Sequence, residues 1–262
     1  MGPVKYRLND AKETLERTPA KEWLCGGFRT VAVAAELIRN SKVVAVPTDT
    51  IYGLAGLAQD KAAIARLYEI KERDPNKPLA ICVCDNSDIE KWAHTEDLPD
   101  GLLDALLPGP TTLVLKRKEA LNQTLNPGNP NIGVRVPAFE FVRSLAKMVN
   151  GPIALTSANK SGKRSTLHPK EFEDLWSELD GVFYDKVSRS NLKNSWRSGS
   201  TVVDLTVKGE FTILRRGIGF RKTFPILQKF QLTERPRPKR VKPVVKEDTH
   251  ETSEIRASAS NS

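Results

Sequence analysis

Apolar positions recur at two spacings along the chain, and their alternation divides most of it into short elements. "TVAVAAELIRN" (30–40) and "KAAIARLYEIKER" (61–73) step by three and four residues, Ile64, Leu67, Tyr68 and Lys71 marking the period in the second, and predict helices. "KVVAVP" (42–47) and "LAICVC" (79–84) predict buried strands between them. Two short helical pieces follow around "DIEKWA" and "GLLDALL", then strands over "TTLVLKR" (111–117) and "NIGVRVP" (131–137). Beyond these come a helix over "FEFVRSLAKMV", a strand over "PIALTS", a helix over "PKEFEDLWSEL", and strands over "GVFYD", "STVVDL" and "FTILRR". With no internal repeat or Gly/Ser linker, this interleaving predicts a single α/β domain with a mixed sheet and flanking helices.

Both ends depart from the pattern. Residues 1–29 read as a weakly ordered arm or short helix, and 232–262 as a disordered basic and polar tail, leaving 30–231 as the domain. The tail opens on "RPRPKRVKPVVK", six basic residues and three prolines, and ends in "EIRASASNS", which has little to bury. A solvated tail is the favoured reading of the basic run; a nuclear address or RNA-grasping arm is the alternative.

Composition narrows the class. At 262 residues, 39% hydrophobic and 28% charged, the chain suits an ordinary globular protein. No stretch approaches the ~18 apolar residues of a membrane span. The N-terminus lacks a secretory core, and Asp10, Glu13, Glu16 and Glu22 disfavour a mitochondrial leader. A cytoplasmic protein is expected, with a mitochondrial pool or nuclear entry left open. Three cysteines fit neither a disulfide framework nor a four-ligand zinc set. Cys82 and Cys84 share a strand face, where core packing is favoured over metal binding. The formal charge of +9 lies mostly on the body, because the tail sets seven Lys/Arg against five Asp/Glu. A basic body favours anionic partners.

Candidate chemistry collects at strand ends, where ligands sit in α/β sheets. "TDTIYGL" follows one strand with Thr48, Asp49, Thr50 and Tyr52, a set that also suits a cap or turn. "KERDPNKPL" places Lys71, Arg73 and Lys77 at a helix end, where the helix dipole alone accounts for cations and a polyphosphate is the alternative. "LLPGPTTLVLKR" presents Thr111 and Thr112 where a strand begins. Arg135 falls inside the apolar run "NIGVRVP", so its charge needs either an internal carboxylate or that of a ligand. "ALTSANKSGKRS" offers Thr156, Ser157, Asn159, Ser161 and Ser165 in a loop able to meet an anion, though Asn159 is equally suited to forming the turn. Nucleotide-loop and nucleophile-elbow spacings are absent, and His94, His168 and His250 read as surface or capping residues. Catalysis would therefore lean on positioning and charge, as in phosphoryl chemistry.

In this order, "VPTDTIYGL", "KER" with "KPL" behind it, "LLPGPTTLVL", "IGVRVP", "LTSANKSG", "GSTVVDL" and "ILRRG" resemble the YrdC-type threonylcarbamoyl-AMP synthase family, in its eukaryotic stand-alone form. The resemblance spans roughly residues 30–220. It implies a twisted sheet around a basic cavity that joins L-threonine, bicarbonate or CO2, and ATP into threonylcarbamoyl-adenylate and pyrophosphate. A separate transferase complex would then modify the adenosine beside the anticodon of tRNAs reading codons that begin with A. By resemblance Thr50 and Arg135 hold threonine, and Lys71 and Arg73 form the catalytic K-x-R pair. Arg73, Lys77, Thr112, Thr156, Ser157, Asn159, Ser165 and Arg215 contact the nucleotide. ATP enters as substrate with Mg2+ carried on it, and the protein itself holds no metal. Lys71→Ala or Arg73→Ala is expected to abolish pyrophosphate release without unfolding. Cys82 stands where some members have histidine, Arg216 replaces a common proline, and the segment ahead of "GSTVV" is longer than usual. The competing readings are a non-catalytic module binding structured RNA in the same cavity, and a carbamoyl transferase, which would need further domains.

Overall fold

The computed structural model describes residues 11, 21–72, 78–186 and 194–237. In chain order the elements are β1 (Glu22–Leu24), α1 (Gly27–Arg39), β2 (Val44–Val46), β3 (Gly53–Leu57), α2 (Lys61–Ile70), β4 (Ala80–Cys82), α3 (Leu102–Leu106), β5 (Thr111–Lys116), β6 (Asn131–Arg135), α4 (Glu140–Val149), β7 (Ile153–Ser157), β8 (Gly181–Tyr184), β9 (Thr201–Asp204), β10 (Glu210–Arg215), α5 (Phe220–Lys229) and β11 (Thr233–Glu234). Short 3-10 helices lie at Asn86–Lys91, Pro169–Glu178 and Asn194–Ser198. The strands form one 11-stranded mixed sheet in the order β1-β8-β2-β3-β7-β4-β6-β5-β9-β10-β11.

Period-two alternation sends the two faces of each strand to different neighbours. In β2, Ala45 joins the larger hydrophobic cluster with Leu54, Ile81, Leu113 and Val134. Val44 and Val46 point the other way, into a second cluster with α1 and α4, beside Phe141, Leu145 and Phe183. Each buried aliphatic side chain of this kind contributes ~1.5–3 kcal/mol. The same alternation runs through β5, β6 and β9, where Leu113, Leu115, Ile132, Val134, Val203 and Leu205 enter the larger cluster. Their alternates, Thr112, Val114, Asn131, Gly133, Arg135, Val202 and Asp204, line a cavity instead.

Several elements differ from expectation for identifiable reasons. Pro169–Glu178 is a 3-10 rather than an α-helix, kinked at Phe172 (φ −130°, ψ 29°); its buried residues Pro169, Phe172 and Leu175 recur every three residues, the 3-10 period. The helix expected through Arg73 ends at Ile70, because Lys71 caps it and Glu72 turns left-handed at φ 45°. The domain also exceeds the expected 30–231. Glu22–Leu24 pairs in parallel with β8, α1 starts at Gly27, and Thr233–Glu234 pairs with β10. Ala11, within the expected arm, is fully buried in the second cluster. The basic run of the tail from residue 238 lies outside the described residues.

Strand β3, which the apolar pattern did not suggest, pairs with both β2 and β7. A Cβ at Gly53 would stand 2.8 Å from Leu155 Cδ1 and 3.0 Å from the carbonyl of Thr156, so glycine admits β7 here. Gly53→Ala is expected to lower stability by about 1–3 kcal/mol, read as a reduced urea midpoint at unchanged slope.

Helix α2 begins on a charged cap. Asp60 Oδ1 accepts from the amides of Ala62 (2.8 Å) and Ala63 (3.2 Å), and Oδ2 accepts from the Ser41 hydroxyl. The Ser41 hydrogen bond, followed by the two amides, outweighs partial burial and lowers the Asp60 pKa. The cap therefore contributes in full above the unfolded value near ~3.9 and is lost as pH falls through the lower folded value. Asp60→Ala should cost about 1 kcal/mol at neutral pH. In denaturation series that difference should shrink below about pH 3.9.

Candidate active site

The sheet positions left uncovered by α1 and α4 enclose a cavity of about 450 Å³. Its floor is made of small residues, Ala80 and Gly133; a Cβ on Gly133 would meet Thr112 Cγ2 at 3.1 Å. From Asn131 to Arg135 along β6 the wall extends ~13 Å at ~3.3 Å per residue.

Arg135 ends β6 and is 6% exposed. Its Nη2 donates to Asp49 Oδ1 at 2.6 Å, while its Nε is buried without a partner. Both alternatives raised by the sequence therefore bear on this residue. An internal carboxylate pairs it, and an unsatisfied donor remains in a guanidinium that lines the cavity. Thr50, from the β2–β3 loop, also lines the cavity, and its hydroxyl lies 3.1 Å from that of Thr48. Cys82 is beside Arg135 in the β4–β6 register but packs in the second cluster and is not on the cavity wall. Burial pushes its thiol up to about 12, so it supplies no negative charge to the arginine at neutral pH.

A hydroxyl relay occupies another wall. Ser200 Oγ is 2.7 Å from Thr112 Oγ1 and accepts from Arg215 Nη2 at 3.0 Å, while Arg215 Nε donates to the Ser200 carbonyl. The Arg215 pKa is lowered, first by burial of its guanidinium end and second by the charge of Arg135. Two arginines whose fields overlap in one cavity are suited to an anion that sits between them. Asp204 is the carboxylate on the wall, so charge among the described lining residues is mixed. Of the cations expected around the cavity, Arg135 and Arg215 are on its described wall, while Arg73 and Lys77 lie outside the described residues.

The "SANKSG" loop leaves β7 over this cavity. Thr156 and Ser157 line it. Lys71, 1% exposed, reaches Ser157 from behind: its ammonium donates to the Ser157 carbonyl at 2.6 Å and to the Asn159 carbonyl. Its own carbonyl accepts from the Ser161 amide at 3.1 Å. Asn159 Nδ2 donates to the carbonyls of Lys160 and Lys163, which makes it a turn-former, yet its Oδ1 is buried without a partner. Ser165 is half-buried and off the wall, its carbonyl held by Arg197 Nη1 at 2.8 Å.

The cavity thus brings together Thr50, Thr112, Arg135, Thr156, Ser157 and Arg215. Lys71 and Asn159 stand behind Ser157, and Arg73 and Lys77 lie outside the described residues. Ser200, Asp204, Asn129 and Asn131 line it as well and were not singled out from sequence. Counting back in twos from Arg135 would have found Asn131, and parity in "STVVDL" sets Ser200 and Asp204 on one side. His168 caps the Pro169–Glu178 helix and His94 pairs with Glu96 at the surface, in keeping with bland roles. Among the described residues no helix is long and apolar enough to cross a membrane.

Fold and cavity together define a class: a mixed-sheet α/β protein with a polar, arginine-bearing pocket on one half of a sheet face. The Sua5/YciO/YrdC family model, described as telomere recombination, matches residues 36–217. The chain belongs to this family. It is 47% identical over 197 residues to human threonylcarbamoyl-AMP synthase, covering 75% of this chain and 70% of that protein. The rat protein of the same name is 46% identical over 227 residues, 87% of this chain and 80% of its own. Among solved structures, Pyrococcus abyssi Sua5 complexed with L-threonine superposes with a TM-score of 0.70 at 28% identity, covering 82% of this chain and 62% of that one.

Proposed function

We propose that this chain is a nucleotidyltransferase that condenses L-threonine, bicarbonate or CO2, and ATP into threonylcarbamoyl-adenylate and pyrophosphate, for threonylcarbamoyl modification of tRNA. The observation that carries the reading is Arg135, a buried guanidinium on the cavity wall with an unsatisfied Nε. An arginine so placed is matched to a small carboxylate. The names of the mammalian relatives agree with it and do not favour a non-catalytic RNA-binding module.

In this reading Thr50 and Arg135 hold threonine, Arg135 gripping its carboxylate. Thr112, Thr156, Ser157 and Arg215 serve the nucleotide from the wall, with Ser200 orienting Thr112 and Arg215 through its hydroxyl, while Asn159 shapes the loop behind Ser157 and Ser165 lies off the wall. Lys71, Arg73 and Lys77 attend the phosphates. For Lys71 this includes fixing the loop that bears Ser157, because its ammonium rests on that loop's carbonyls. Threonine's amine adds to CO2 to give a carbamate, whose oxygen displaces pyrophosphate from the α-phosphorus in line. Mg2+ arrives with ATP as part of the substrate and offsets phosphate charge. The protein's share is orientation and charge, with no covalent intermediate on the enzyme. The unstable adenylate would pass to a threonylcarbamoyl transferase complex, and the cytoplasm is the expected setting.

Incubation with ATP, Mg2+, labelled bicarbonate and single amino acids tests this directly. Labelled adenylate is expected with threonine. Salt-sensitive RNA binding without any adenylate would replace this reading with the binding-module one.

A further inference from the structure

The carboxylate behind Arg135 has no place in the roles assigned so far. Asp49 and Arg135 are both 7% exposed along their side chains and meet at 2.6 Å, yet only Arg135 reaches the cavity wall. The second oxygen of Asp49 accepts from the Ala138 amide at 3.1 Å, just past the end of β6. Asp49 therefore ties the β2–β3 loop to the exit of β6. That loop also presents Thr50, and it is braced internally: Thr48 Oγ1 accepts from the Thr50 amide at 3.1 Å and donates to the Ile51 carbonyl at 2.7 Å. The hydroxyl and the guanidinium assigned to the amino acid thus share one anchor.

We infer that Asp49 is a positioning residue that orients Arg135 toward the amino-acid carboxylate, an inference that rests on the function proposed above. A guanidinium has five donors, and Asp49 occupies one at Nη2. Its grip selects one orientation of a long, flexible side chain and leaves other donors of the fork for the ligand. Asp49 also balances the buried charge while the site is empty, so the arginine stays in a pocket it would otherwise leave for water. Among the described residues, Asp49 is the carboxylate that bonds the Arg135 guanidinium.

Asp49→Asn removes the charge and keeps the shape. Losing a charge-assisted hydrogen bond predicts that the threonine KM for pyrophosphate release, and its Kd by calorimetry, rise about 10- to 100-fold. The ATP KM should stay within about threefold. A residue serving stability alone would lower Tm and the active fraction while leaving both KM values where they were. That pattern, or unchanged threonine binding by the folded variant, overturns the inference. If Asp49→Asn does not fold, Asp49→Glu keeps the charge on a stem one methylene longer and should give the same selective rise; an unchanged threonine KM there is equally decisive against it. Wild-type protein that binds threonine as well as the variant does removes only the role of Asp49. Wild-type protein that neither binds threonine nor turns it over removes the proposed function with it.

Discussion

Arg135→Ala is expected to raise the threonine KM by about 100-fold or more, because truncating one member of a buried, hydrogen-bonded charge pair typically costs 2–5 kcal/mol of binding. The same change strands Asp49, 7% exposed, without its cation. Uncompensated buried charge of this kind costs about 3–5 kcal/mol of folding stability against a total of about 5–15. A large fall in Tm should therefore accompany the kinetic loss, and activity must be normalised to folded protein. Arg135→Lys separates the two effects: it retains a cation for Asp49 but not the planar fork. It should recover most of the stability and remain about tenfold or more impaired for threonine. A folded Arg135→Lys or Arg135→Ala protein with wild-type threonine KM would remove the arginine from the amino-acid site.

Lys71→Ala should reduce pyrophosphate release by about 100-fold or more, through geometry as well as charge. In the structure the Lys71 ammonium serves the carbonyls of Ser157 and Asn159, so its loss frees the loop that carries Ser157 into the cavity. Two carbonyls left short of a donor cost about 1–3 kcal/mol, a loss the fold should survive. Hydrogen exchange across residues 157–163 should then rise in the ligand-free protein. A lysine that met only phosphate would leave that exchange unaltered. Unchanged exchange combined with lost activity would return Lys71 to a purely electrostatic role at the phosphates.

Most of the sheet was readable from periodicity, since strands such as β5, β6 and β9 alternate plainly and their boundaries fall at turn residues. What escaped did so for physical reasons. β3 is "GLAGL", whose glycines look like punctuation but serve close approach, Gly53 to β7 and Gly56 to Ala63 and Leu67 of α2. Helix α5 carries Pro225 and several cations that hide its buried Thr223 and Leu227. At the site, hydroxyls and the buried arginine were visible as chemical types. Their partners were not, because Arg135 and Asp49 are 86 residues apart in sequence and Lys71 and Ser157 equally far. Long-range pairing of this sort leaves no local pattern. Asn129 and Asn131 belong to the same category of oversight, being polar residues at a strand start that read as ordinary turn chemistry.

The strict division of labour across β5, β6 and β9 has an evolutionary reading. Leu113, Val134 and Val203 hold the fold together on one side, while Thr112, Val114, Gly133 and Val202 furnish the cavity on the other. Selection can therefore redecorate the pocket at every second position while the intervening positions keep the protein folded. A lineage needing a different acyl or nucleotide partner would have separate knobs for chemistry and for stability, and substitutions at Val114 or Val202 are where such drift should first be sought.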